Sequence, residues 1–192
     1  KLFPETGMTL RYSNNWELLV AVVLSAQCTD KKVNEVTESL FKKYRTLDAY
    51  VKADKKEFEK DIRPTGFFHA KAKNILAAAK MVQEKFDGKI PRIMAEMITI
   101  PGVARKTANV VLGNAYGVVD GIAVDTHVRR LTKLHGLTDH NDPVKIEEEL
   151  MKIVPQKDWA DFANMLILCS REFYPKRAND YSAGPLEGLF IP

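Results

Sequence analysis

Cysteine is almost missing from this chain: Cys28 and Cys169 are the only two in 192 residues. Two thiols cannot build a disulfide framework, a four-ligand structural zinc site or an iron–sulfur cluster held by four thiolates. The expected setting is therefore intracellular and the chain metal-poor. Long apolar runs are missing as well. The longest, Leu18 to Leu24, falls far short of the roughly 20 residues a bilayer-spanning helix needs, so no membrane association is expected. The N-terminal residues lack a cleavable signal pattern, and an opening at Lys1 is compatible with trimming. Charge of one sign does not dominate either. The 29 basic residues against 25 acidic ones leave +4, which suits a polyanionic partner without identifying one. A hydrophobic content of 45% with 28% charged residues is ordinary for a globular protein that buries a core in one domain or two small ones.

Strand alternation is absent too, apart from a short extended piece expected around Ile122. What the chain has instead is helical periodicity. Trp16 to Ala26 is apolar on all sides and reads as a buried helix. Val33, Val36, Leu40, Phe41 and Tyr44 make an i, i+3, i+4 stripe. Ala72, Ile75, Leu76, Ala79, Val82 and Phe86 make a second, closed by Asp87-Gly88. Ala108, Val111, Leu112 and Ala115 form a third. Asp142-Pro143 reads as an N-cap followed by proline at the first helical position, opening a helix through Ile146, Leu150 and Ile153. Trp159, Phe162, Ala163, Leu166 and Ile167 mark the last helix, and the segment from Lys176 reads as irregular. The fold class is all-α.

One stretch breaks a local rule. Ile100-Pro101-Gly102-Val103-Ala104 is a tight turn, and the helix behind it opens with Arg105-Lys106-Thr107. A helix N-terminus carries partial positive charge and favours Asp or Glu. Two cations there point to a bound phosphate or to a lysine held ready as a nucleophile, since dipole and Arg105 both disfavour its ammonium. Gly102 has no Cβ, so the backbone can approach a ligand closely. Nineteen residues after Lys106, Asp125 reads as the N-cap of the next helix. A carboxylate fixed there suits stabilising a cationic transition state better than taking up a proton.

Several motifs in order carry a resemblance. Ile100 to Ala108 resembles the helix–hairpin–helix of the endonuclease III family of DNA glycosylases, and Val124-Asp125-Thr126-His127 resembles the Val-Asp-Thr-His that follows it. Leu24-Ser25-Ala26-Gln27-Cys28-Thr29-Asp30 is similar to that family's Leu-Ser-Ala-Gln-x-Thr-Asp, and Thr65 to Ala72 to its loop before the third long helix. The resemblance covers roughly residues 14 to 174. It implies two helical subdomains with a cleft between them. Residues 15–118 would form a helical barrel containing the hairpin at about 98–115. Residues 1–14 plus 119–192 would form the second subdomain, built from both termini. The implied activity is base excision with abasic-site lyase chemistry on oxidised pyrimidines in double-stranded DNA. Lys106 would be the nucleophile on C1′, and Asp125 would assist.

The implied DNA contacts are Gln27, inserted beside the flipped nucleotide, and Phe67 at the place of the family's apolar wedge. Phe68 could take that job instead. Gly102, Ala104, Arg105 and Thr107 of the hairpin would hold phosphate, joined by Lys71, His127 and Arg130, with Lys73, Arg129 and Lys133 as further cations. A monomer working in the cytoplasm and nucleoid, or in a nucleus, is expected.

Two departures from the family pattern stand out. Its four-cysteine cluster motif falls here on Tyr174, Tyr181, Gly184 and Phe190. No iron–sulfur cluster is therefore expected, and the three aromatics are expected to pack the C-terminal loop in its place. Ala104 replaces a frequent glycine and is tolerable if its φ is negative. Whether hairpin carbonyls hold a monovalent cation stays open. Lys106 speaks against a monofunctional uracil or thymine mismatch glycosylase, and Val23 against the adenine-mismatch branch, which uses a glutamate there. A non-catalytic hairpin binder would have no use for Asp125.

Overall fold

The computed structural model describes residues 9–174. Among these, every regular element is helical. Helices α1 (Asn15–Leu24), α2 (Asp30–Lys43), α3 (Leu47–Val51), α4 (Lys55–Ile62), α5 (Phe68–Lys85), α6 (Met94–Met97) and α7 (Arg105–Tyr116) come first, with a 3₁₀ turn at Arg63–Thr65 before α5. Then follow α8 (Thr126–Leu134), α9 (Pro143–Ile153), a 3₁₀ turn at Gln156–Asp158 and α10 (Trp159–Glu172). Residues 118–125 form no strand, and Ile122 is fully buried in irregular chain. The apolar character read there as strand belongs to a core-filling connection.

The starts are set by local chemistry. Asn14 Oδ1 accepts from the Glu17 N–H at 2.9 Å, and the Glu17 carboxylate accepts from the Ser13 N–H at 2.7 Å, so the two ends of the first turn bind each other. Thr29, Thr46, Asp54 and Asp142 cap α2, α3, α4 and α9 in the same manner. The stop of α7 is Gly117 at φ +65°, in the left-handed region that residues with a Cβ avoid.

The chain divides into two compact bodies at Val118/Val119. In the first body α1 is the central rod. Leu18, Leu19, Val20, Ala21 and Leu24 are at most 1% exposed, because α1 packs on α2, α5 and α7 and has no face left for water. This is why its sequence shows no polar stripe. Tyr44, Tyr50 and Phe58 meet at ring-centroid distances of 5.3–5.8 Å, and Trp16 stacks edge-on to Tyr50 at 5.2 Å. Residues 9–14 belong with this body, not with the second as the sequence boundary had it. Leu10 is in its core, and the Asn34 side chain holds both the Thr9 carbonyl and the Arg11 N–H at 2.9 Å.

The second body is built on α8 packed against α10, around Val128, Leu131, Ile146, Leu150, Leu166 and Tyr174. Tyr174 is fully buried and meets His135 edge-on at 5.4 Å. Tyr181, Gly184 and Phe190 lie outside the described residues.

Candidate active site and nucleic-acid interface

The hairpin is a type II turn. The Val103 N–H donates to the Ile100 carbonyl at 3.0 Å, and Gly102 holds φ +80°, with Pro101 at the position where its fixed φ fits. A Cβ on Gly102 would stand 2.7 Å from Asn74 Cβ, so glycine is required twice: for the φ value and for close packing on α5. Asn74 gave no sign of this role in the sequence. Ala104 is extended at φ −83°, so alanine fits where relatives carry glycine.

The N-cap of α7 is Ala104, whose methyl cannot cap, and no acid stands in the first turn of the helix. Lys106 is its second residue and exposed, Arg105 and Thr107 are half-buried, and Gly102 and Ala104 are exposed. The positive end of the helix thus carries two cations directly behind the turn, an arrangement that suits an anion.

Asp125 is the N-cap of α8, as its position implied. Its Oδ1 accepts from the His127 N–H at 2.8 Å and the Val128 N–H at 2.9 Å. Two such bonds hold the carboxylate in one orientation.

Two positions form a second group in the first body. Gln27 and Phe67 are exposed, Phe67 at 66%, and both hold positive φ, 54° and 48°. A non-glycine residue in that region is uncommon; Asp87, after α5, is the third described one. Phe68 is different. It begins α5, is half-buried, packs against the first core and lies 4.1 Å from the His69 ring. Only Phe67 of the pair offers a ring to solvent.

Three expected DNA cations are placed otherwise. Lys71 is 5% exposed, and its Nζ donates to the Leu24 and Thr65 carbonyls, each at 2.8 Å. Burial pushes its pKa below the ordinary lysine value. A buried ammonium satisfied by backbone is not a phosphate contact. Arg130 donates to Ser170 Oγ at 2.5 Å and to the Tyr174 carbonyl, and His127 Nδ1 lies 2.8 Å from the same Oγ. Ser170 is fully buried on α10, so His127 and Arg130 clasp α8 to α10. Ser170 was missed because it sits 43 residues from His127, with no motif around it. Of the remaining cations, Lys73 and Arg129 are exposed, and Lys133 donates to Asn141 Oδ1 at 2.7 Å.

The residues present do not fit a four-thiolate cluster. Cys28 follows α1 in the first body and Cys169 is buried in α10 of the second, where burial pushes its thiol pKa up. No group of three or more His, Cys, Asp or Glu among the described residues could hold a metal ion. No described helix is long and apolar enough to cross a membrane.

An all-helical chain with a cation-bearing helix behind a Pro-Gly turn is compatible with a helix–hairpin–helix DNA-binding protein, and comparison with known proteins identifies the family. The family profile for the HhH-GPD superfamily base excision DNA repair protein matches residues 20–156. Endonuclease III of Synechocystis sp. is 50% identical over 171 residues, covering 89% of this chain and 78% of that protein. Endonuclease III of Bacillus subtilis is 45% identical, covering 88% and 78%. The structure of a non-covalent endonuclease III–DNA complex superposes with a TM-score of 0.90 at 42% identity, covering 96% of this chain and 86% of the other. A trapped endonuclease III–DNA covalent intermediate matches equally well, at a TM-score of 0.90 and 42% identity, covering 96% and 87%. A thermostable thymine-DNA glycosylase, 23% identical at a TM-score of 0.75, shares the fold alone. The chain belongs to the endonuclease III family of the HhH-GPD superfamily, and is a base excision repair DNA glycosylase with lyase activity.

Proposed function

We propose that Lys106 is the nucleophile and Asp125 the fixed anion of a glycosylase and lyase reaction on oxidised pyrimidines in double-stranded DNA. The Lys106 amine attacks C1′ with its nitrogen lone pair. The N-glycosidic bond breaks, and the base leaves with the bonding pair and takes up a proton. Opening of the sugar between C1′ and O4′ yields the Schiff base. Loss of a C2′ proton then expels the 3′ phosphate by β-elimination, and hydrolysis frees the lysine. The Asp125 carboxylate favours the cationic character that builds on the sugar. The hairpin N–H groups hold phosphate without reading sequence. Gln27 and Phe67 enter the duplex at the lesion, the Phe67 ring filling the space of the extruded nucleotide. The chain works on genomic DNA without an iron–sulfur cluster.

One observation carries this reading: an exposed lysine at the second position of a helix that has no acid in its first turn, directly behind a turn built on Pro101 and Gly102. Borohydride trapping on duplexes holding an abasic site or thymine glycol tests it. A covalent adduct is expected with the unmutated protein and none with Lys106→Ala. No adduct from the unmutated protein rejects the lyase assignment of this site, and trapping by Lys106→Ala moves the nucleophile elsewhere.

A further inference from the structure

Gln27 and Phe67 share one conformation, an exposed side chain on left-handed backbone, found also at Asp87 behind α5. Such geometry persists where the surroundings over-determine it. Both turns converge on one side chain, Lys71. Its Nζ donates to the carbonyl of Leu24, the last residue of α1, three residues before Gln27. The same Nζ donates to the carbonyl of Thr65, the last residue of the 3₁₀ turn, two residues before Phe67. Its own backbone N–H closes on the Phe67 carbonyl at 3.1 Å. The Thr65 hydroxyl, also buried, ties that turn to the Ile62 carbonyl at 2.8 Å.

The choice of lysine has a physical reason. Helix α1 carries no basic residue in its last turn, and its C-terminal carbonyls carry partial negative charge. Lys71 supplies that cation from α5. An apolar side chain of equal length would fill the space but leave two carbonyls without their donor. The ammonium loses its hydration on burial, and it repays that only by binding both turns at once.

We propose that Lys71 is a positioning residue that couples the Gln27 turn to the Phe67 turn, so that both side chains enter the lesion as one rigid probe. This rests on the lesion-facing roles of Gln27 and Phe67 proposed above.

The test compares two duplexes, one undamaged and one carrying a tetrahydrofuran abasic analogue that resists lyase chemistry. Binding is measured for the unmutated protein, Gln27→Ala, Phe67→Ala, Lys71→Met and the double variant Lys71→Met/Phe67→Ala. Each single change is expected to lower the preference for the abasic duplex by about tenfold, and the double change by no more than about the same factor, because coupled residues are not additive. Affinity of Lys71→Met for the undamaged duplex, carried by the hairpin, is expected to hold. Amide exchange in Lys71→Met is expected to rise at residues 25–28 and 65–67 together. If Lys71→Met does not fold, Lys71→Gln takes its place. Unmutated-like preference in a folded Lys71 variant while Phe67→Ala loses it overturns the coupling. So does a multiplied loss of about a hundredfold in the double variant. Unmutated-like preference in both Gln27→Ala and Phe67→Ala instead overturns the lesion roles, and the coupling falls with them.

Discussion

At Asp125 the helix cap and the proposed catalysis can be pulled apart, because the cap is made by Oδ1 to the N–H groups of His127 and Val128. Asp125→Asn keeps an oxygen acceptor there and removes only the charge. It is expected to melt within a few degrees of the unmutated protein and to bind abasic duplex normally while releasing base more slowly. Asp125→Ala is expected to lose both the rate and about 1 kcal/mol of stability. Parallel loss of rate and binding in Asp125→Asn would make the residue a structural cap. Gly102 is the second position where single atoms decide. With φ at +80° and Asn74 Cβ 2.7 Å from any added methyl, Gly102→Ala is expected to cost at least about 1 kcal/mol in a urea melt. It should also weaken binding to undamaged duplex, since the turn that presents the α7 N–H groups must shift.

Among the elements, α2 and α4 are joined by a mixed ionic and aromatic seam. Lys43 Nζ lies 2.7 Å from both Glu57 and Asp61, and the Tyr44 hydroxyl donates to Asp61 Oδ2 at 2.9 Å. Burial first, and then Asp61, push the Tyr44 pKa up to about 12, and burial raises Tyr50 as well. A raised folded pKa means the unfolded chain ionises first, so the stability these phenols contribute is intact below about pH 10 and is lost as pH rises toward 12. Chemical melts across that window should show falling stability, with a shallower fall in Tyr44→Phe. The α8–α10 clasp makes a parallel case. Ser170→Ala strips the buried hydroxyl from Arg130 and His127 and is expected to cost about 1–3 kcal/mol, read from the shift of the urea midpoint. No change would mean that the clasp does not depend on the Ser170 hydroxyl.

For the molecule as a whole, each of the two bodies has its own apolar core, and Tyr174 is packed into the second where the family pattern would place the first cluster cysteine. Purified protein is expected to carry no stoichiometric iron and to show no visible iron–thiolate absorption; a metal content near four irons per chain would refute a cluster-free enzyme. The amino-acid order alone determined the features that rest on near neighbours: the helix caps at Asp125 and Asp142, the Pro101-Gly102 turn, the cations opening α7, and the apolar stripes that make the chain all-α. Those signals act over a turn or two of backbone, so they can be read without knowing the fold. Burial and partners at a distance were decided only in three dimensions. Lys71 read as a phosphate contact on α5, and only the fold brought it a carbonyl from α1, 47 residues away. His127 and Arg130 read as phosphate ligands, and only the fold showed that both reach Ser170 of α10. A charged side chain reads the same in sequence whether it faces water or a buried carbonyl, and only the packing of distant helices sets which of the two it meets.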